Sequence, residues 1–243
     1  MQTIDVMGYQ VFADDLATIR IDKDQKCVIN TINAHAYIVA KSDPLFKTAL
    51  IDADILLPDG SGIVLAAKKT SGIEIKKIAG ADIHQHLLEY LNKQHGKVFY
   101  MGAAQKTLDL IHERIEKDYP NIMIESYSPP YKDQFSNEEN IEIIERINAF
   151  SPDVLFIGMT APKQEKWLHE HKELLDFKVA SSIGAVFDFF AGTVQRPSEF
   201  WINMHLEWLP RFLAEPKRLW RRNLVSTPLF LKEMIFYKNS SEI

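Results

Sequence analysis

One grammar recurs through the middle of this chain and constrains its fold more than any other feature. A short β-branched or aromatic run meets a Gly or Pro break, and a polar stretch with apolar residues at helical spacing follows. Lys97–Met101 (KVFYM) reads as a strand broken by Gly102; Leu108, Ile111 and Ile115 then recur at helical spacing until Tyr119-Pro120 stops the helix. Ile122–Tyr127 restarts the pattern, Pro129-Pro130 marks a loop, and Glu138–Phe150 reads as a helix with Ile141, Ile144 and Ile147 on one face. Val154–Ile157 is a strand broken at Gly158, a helix opens at Pro162, and Val179–Ile183 is strand again. Earlier in the chain, Cys27–Ile32 and Asp54–Leu57 are strand candidates. Between them Ala34–Leu50 has helical spacing interrupted at Pro44, and Gly62–Lys69 starts another helix. Strands alternating with helices predict an α/β protein: a Rossmann-like, mostly parallel sheet with helices on both faces.

From Pro197 the character changes. Trp201, Trp208 and Trp220, three of the four tryptophans, fall close together and are interleaved with Arg and Lys. Leu206, Leu209 and Leu213, and then Leu229–Phe236, fit amphipathic helices. Residues 196–238 carry eight Lys/Arg against four Asp/Glu, so this stretch is +4 and the rest is −9 in a chain of net charge −5. The expected organisation is an α/β catalytic domain over 1–196 and a helical, basic and aromatic appendage over 197–243. One reading of that appendage is a helical pair packed on the sheet domain; the other is a surface that meets anionic lipid or phosphate. With 243 residues the chain has room for both parts.

The same numbers exclude several classes. An acidic body argues against a general nucleic-acid binder. No run approaches the roughly 18 consecutive apolar residues of a spanning helix, and the opening MQTIDVMGYQVFADD carries acids where a secretory signal carries bases. The single Cys27 can form neither an intrachain disulfide nor a thiolate metal cage, and reads as a small buried residue opening a strand. The expected compartment is the reducing cytoplasm.

In open parallel sheets ligands bind beyond the carboxyl ends of the strands, so the residues just after each strand are the candidates. They are Thr31 and Asn33; Pro58-Asp59-Gly60-Ser61-Gly62; Gly102-Ala103-Ala104; Gly158 through Gln164; and Gly184 through Asp188. In Gly158-Met-Thr-Ala-Pro162-Lys-Gln164, Pro162 suits a first helical turn, and a helix start behind a Gly loop suits a phosphate or diphosphate. The alternative is a plain turn and helix start. Asp59 is a carboxylate on a strand end in a roomy loop, placed to take a proton from a sugar hydroxyl; alone, Asp-Gly is also an ordinary turn.

Neither G-x-G-x-x-G nor G-x-x-x-x-G-K-[ST] follows a strand, so dinucleotide binding and a P-loop are unsupported. His84/His86 and His169/His171 sit two apart, and on a helix such pairs do not face each other. No D-x-D stands out as a metal-binding pair, and no G-x-S-x-G elbow follows a strand. No metal and no cofactor is expected.

With these segments in place the chain resembles the WecG/TagA/CpsF glycosyltransferases, glycosyltransferase family 26, over about residues 10–236. The resemblance rests on Thr31-Ile-Asn33, Asp54 through Gly62, Ala79-Gly80-Ala-Asp82, Phe99 through Gly102, Ser128-Pro-Pro-Tyr131, Asn148, Ser151-Pro-Asp153, Gly158 through Trp167, Gly184 through Asp188, Ala191-Gly192, and Glu207-Trp208 through Arg222. It implies an inverting, metal-independent transfer of an N-acetylmannosamine-type sugar from a UDP donor to a polyprenyl-diphosphate-linked N-acetylglucosamine. That step belongs to cell-surface polysaccharide assembly at the inner face of the cytoplasmic membrane. By motif the family's base falls on Asp59, its active-site Thr and Asn on Thr31 and Asn33, and its pocket glutamine on Gln164. Its appendage arginines, which reach toward the diphosphate, fall on the 197–238 stretch, with Arg211, Arg218 and Arg221 as candidates. Gly60, Gly62, Gly102, Gly158, Pro162 and Asp188 complete the expected substrate-binding set.

Ala81, Met159 and Thr160 depart from residues common in the family, which leaves the donor sugar open. Two other classes stand beside this reading. A sugar-nucleotide-modifying enzyme would need the missing dinucleotide fingerprint, and a non-catalytic membrane-docking module would tolerate loss of Asp59. The exposed tryptophans also suit self-association into a homo-oligomer.

Overall fold

The computed structural model of the chain describes residues 1–21, 25–194, 201 and 208–237, apart from the side chains of Arg211, Ala214 and Arg218. An antiparallel pair, β1 (Thr3–Val6) and β2 (Tyr9–Phe12), opens the fold as a hairpin turned at Met7-Gly8. The remaining strands are β3 (Cys27–Ile32), β4 (Ile55–Pro58), β5 (Lys97–Gly102), β6 (Met123–Tyr127), β7 (Val154–Gly158) and β8 (Val179–Ser182). They form one sheet in the order β4-β3-β8-β7-β5-β6, and every neighbouring pair is parallel.

A parallel sheet is covered on both faces, which is why Val154–Gly158 is buried throughout. On one face Ile29, Leu57, Tyr100, Phe156 and Val179 pack against α4 (Gly80–Gln94), α5 (Gln105–Asp118) and α8 (Gly184–Ala191). On the other, Val28, Phe99, Leu155 and Ala180 meet α6 (Asn137–Phe150) and α7 (Lys163–His171). A third cluster joins Ile32 and Leu56 to the hairpin and to α1 (Ala34–Ala40), α2 (Pro44–Ile51) and α3 (Ser61–Ser71). Two aspartates staple the amino ends of the strands: Asp54 accepts from Val28 N–H and Asp153 from Lys97 N–H, both at 2.7 Å.

After Trp208 come α9 (Trp208–Ala214), α10 (Pro216–Trp220), a π-helical turn (Arg221–Ser226) and α11 (Thr227–Phe236). The last helix lies on α1 and α3, with Phe230 and Met234 inside the third cluster.

The fold departs from the sequence reading in detail. The hairpin and α4 carry no expectation there, and Gly184–Asp188, singled out as residues following a strand, opens a helix. In α6 the buried residues are Ile143 and Ile147, while Ile141 is 55% exposed, because the isoleucines spaced by four, not three, face the sheet. Pro162 caps α7 from outside rather than entering its first turn. Cys27 is only partly buried. Leu206 lies outside the described residues.

Candidate active site

The carboxyl edge of the sheet gathers the loops singled out by sequence. Their order follows the strand order, so the Asp59 loop and the Thr31–Asn33 loop are neighbours at one end. Asp59 N–H donates to Ile32 C=O at 2.9 Å, which extends the β3–β4 ladder by one bond and fixes the Asp59 backbone to the sheet. Gly60 follows with φ +98°, a left-handed conformation that favours glycine, and a Cβ built there would lie 3.9 Å from Asn33 Cβ. Asn33 caps α1: its Oδ1 accepts from His35 N–H at 3.1 Å and Ala36 N–H at 3.0 Å. Its oxygen is thereby committed, and its Nδ2 is the group left to donate to a ligand. Thr31, partly buried, sits on β3 opposite Leu57 of β4.

At the other end Gly102 and Gly158 are paired across β5 and β7. The connection from β5 leads outward to β6, whereas that from β7 leads toward β8, so the direction of winding reverses between these strands. A crevice forms at such a reversal. Both glycines are dictated by packing. A Cβ on Gly102, whose φ is +111°, would lie 2.5 Å from Gly158 O, and one on Gly158 would lie 2.4 Å from the Phe187 ring. Gly158→Ala is therefore expected to lower stability by about 1–3 kcal/mol, the usual cost of overpacking a core. A urea titration showing an unchanged midpoint would contradict this packing account.

Among the described residues, four helices start from this edge without a side-chain cap: α3 behind Gly60, α5 behind Ala104, α7 behind Pro162 and α8 behind Ile183. At the same edge α1 is capped by Asn33, and α2 and α6 are capped by Asp43 and Ser136. Uncapped helix starts present backbone N–H groups and the positive end of the helix dipole. At about 4.8 Å per strand step, the edge from β4 to β5 spans roughly 19 Å. One end holds a carboxylate, and uncapped helix starts run along the rest. An open groove lined by Asp109, His112, Glu113, Glu116 and Glu125 lies by contrast beside α5 and β6. Its acidic lining disfavours phosphate.

Gln164 is buried and links the two central loops: Oε1 accepts from Met159 N–H at 3.2 Å and Gly184 N–H at 3.0 Å. Glu165 beside it is fully buried, and loss of water pushes its carboxyl up to about 7. Lys163, at the start of α7, turns away to Lys132 C=O and stands 3.8 Å above the Phe135 ring.

The remaining candidates are spread more widely. Gly62 is packed between Ala34 and Phe230, with ideal Cβ distances of 3.5 and 3.4 Å. Asp188 lies in α8, where its C=O and Oδ1 accept from Thr193 Oγ1 at 3.1 and 3.3 Å. Arg221 is exposed and lies over the Trp220 ring at 5.6 Å. The side chains of Arg211 and Arg218 are outside the described residues. Sequence spacing misses Arg222, whose charge lowers the pKa of His35, after burial the second cause. His35 Nδ1 is 2.8 Å from Ser226 Oγ, so the π-helical turn reaches the start of α1 two residues beyond Asn33. Asp52-Ala53-Asp54 does spell a D-x-D, but Asp54 holds Val28 N–H at the amino ends of the strands, away from this edge.

A family model described as "Glycosyl transferase WecG/TagA/CpsF family" matches residues 2–242. The chain belongs to the WecG/TagA/CpsF glycosyltransferase family. It is 34% identical over 231 residues to an N-acetylglucosaminyldiphosphoundecaprenol N-acetyl-beta-D-mannosaminyltransferase of Bacillus spizizenii, covering 95% of this chain and 87% of the relative. A protein of the same name from Bacillus subtilis is 32% identical over 213 residues, covering 88% and 81%. One from Staphylococcus aureus is 28% identical over 203 residues, covering 84% and 77%.

Proposed function

We propose that this transferase moves an N-acetylmannosamine-type sugar from a UDP donor to a polyprenyl-diphosphate-linked N-acetylglucosamine, with inversion and with Asp59 as general base. The observation that carries the reading is the placement of Asp59. Its backbone is bonded into the β3–β4 ladder next to Asn33, and it directly precedes the uncapped start of α3. The acceptor hydroxyl gives its proton to the Asp59 carboxylate as its oxygen bonds to the anomeric carbon. The bond from that carbon to the diphosphate oxygen breaks, and UDP leaves with the electron pair. Helix starts at the edge and arginines of the appendage stabilise the charge on the diphosphate. Thr31 and Asn33 orient the sugar, and Gly158 through Gln164 line the phosphate end. The transferred sugar and the acceptor are supported by the names of the relatives, and the UDP donor by the resemblance of these motifs alone.

Radiolabelled transfer from UDP-N-acetylmannosamine to a synthetic lipid-diphosphate N-acetylglucosamine tests the proposal. Turnover is expected at the same rate with and without EDTA. Inhibition reversed only by a divalent ion would replace the metal-free chemistry, and no transfer at all would overturn the donor–acceptor pair.

We further propose that the segment from residue 197 onward docks the enzyme on the inner face of the cytoplasmic membrane. No helix among the described residues is long and apolar enough to cross a membrane. Yet Trp208, Leu213, Trp220, Leu224 and Leu229 are exposed in a stretch that also carries Lys217 and Arg221. Apolar side chains with neighbouring cations suit an anionic interface. Co-sedimentation with phosphatidylglycerol vesicles is expected to be strong at low salt and to weaken with added salt and in Arg221→Ala. Binding indifferent to both would remove the basic surface from the mechanism.

A further inference from the structure

The start of α7 contains a second buried group for which the transfer chemistry has no use. Glu165 is 4% exposed, and its Oε2 has no hydrogen-bond partner. A lone carboxyl oxygen without water or a donor is costly, and a leucine of similar size would avoid the cost. What Glu165 does hold is its neighbour: Gln164 Nε2 donates to Glu165 Oε1 at 2.8 Å. At the other end of the same amide, Oε1 faces two donors, the N–H groups of Met159 and Gly184.

A glutamine amide offers an oxygen that only accepts and a nitrogen that only donates. Turned over, Gln164 would set its NH2 against two N–H groups and its oxygen against a carboxyl oxygen. Only one orientation satisfies all three partners, and Glu165 supplies the acceptor that decides it at the nitrogen end. The two N–H groups belong to different loops, one following β7 and the other opening α8 after β8. A Cβ on Gly184 would lie 2.1 Å from Met159 O and 2.8 Å from Gln164 Oε1, so the loops already touch at this clasp.

We propose that Glu165 is a positioning residue: by accepting from Gln164 Nε2 it orients the amide that clasps the β7 and β8 loops, and so sets the crevice that receives the donor diphosphate. The occupant of that crevice rests on the transferase reading; the clasp does not.

The test uses the full-length protein and two readouts, amide hydrogen exchange at Met159 and Gly184 and turnover in the transfer assay. Glu165→Leu removes the acceptor, and Gln164→Glu sets two carboxyl groups against each other. Each is expected to speed exchange at both amides by about tenfold or more and to lower kcat by a similar factor. The swap Q164E/E165Q keeps an acceptor toward Met159 and Gly184 and restores a donor between the two side chains. It is expected to return exchange to near the wild-type rate and to recover about tenfold in kcat over Q164E. A residue that merely filled space would give no such rescue, so a swap no better than Q164E overturns the proposal, even if E165L fails to fold. Unchanged exchange at Met159 and Gly184 in a folded E165L overturns it as well. An inactive wild type would defeat the transferase reading and, with it, the diphosphate as occupant, while exchange in the same samples still decides the clasp.

Discussion

Asp59→Asn is expected to reduce sugar transfer by about 10²–10⁴-fold, the usual contribution of a positioned general base. The change keeps the size of the side chain and removes its capacity to take a proton. The backbone N–H to Ile32 C=O bond and the positive φ of Gly60 do not depend on the carboxylate, so the loop should keep its course. The loss should therefore fall on kcat, with donor binding near the wild-type value, since the diphosphate is held by other loops. Initial rates over a range of donor concentrations, with a urea titration to confirm the fold, make the measurement. An Asn variant within tenfold of wild type would move the base to another residue.

The second large effect is expected at Phe230, far away in sequence but close to the same loops. It is fully buried, meets the Tyr37 ring edge-on with centroids 5.3 Å apart, and abuts Gly62. Phe230→Ala should lower the unfolding free energy by about 3–5 kcal/mol, as for other buried phenylalanines. Of the neighbouring ties, Lys41 to Glu233 at 2.6 Å is a surface ion pair and Lys69 Nζ to Met234 C=O at 2.7 Å is a part-buried hydrogen bond. A surface ion pair adds little and one hydrogen bond about 0.5–1.5 kcal/mol, so they should not hold α11 in place alone. Because α11 rests on the helices that begin just after Asn33 and Gly60, transfer should fall too, even at temperatures where the variant is folded. Loss of less than about 1 kcal/mol would show that the site collapses around the missing ring.

The sheet was legible in sequence because parallel strands buried on both faces leave near-continuous apolar runs, and Lys97–Met101 and Val154–Ile157 announce themselves that way. The hairpin strands Thr3–Val6 and Tyr9–Phe12 lack such a run, and four residues are too few for an alternating period to register in its place. The signal for α4 was present as Ile83, Leu87 and Leu91, spaced by four, but no strand or Gly break framed it as the repeated unit does elsewhere. In α6 four isoleucines fall between 141 and 147, and apolarity alone does not choose among the faces they define.

Of the site, the pairing of the Asp59 loop with Asn33 could be anticipated, since both follow strands. That β8 stands between β3 and β7 could not, and with it went the clasp from Gln164 to Gly184, which strand order brings together. The approach of Arg222 to His35 comes instead from the packing of the π-helical turn on α1, which no local pattern announces.

The seat of α11 also carries a consequence for the order of events at the ribosome. Chains emerge amino end first, and early domains begin to fold as they appear. Here β3 lacks one of its two neighbours until β8 is made, and the pocket formed by Tyr37, Ile63 and Gly62 lacks Phe230 until α11 is made. The nascent enzyme thus carries an open apolar pocket beside its Asp59 loop until α11 closes it. A stop codon at residue 196 would make that transient state permanent, so substitutions in the tail, rather than its removal, are the cleaner way to separate membrane docking from the integrity of the site.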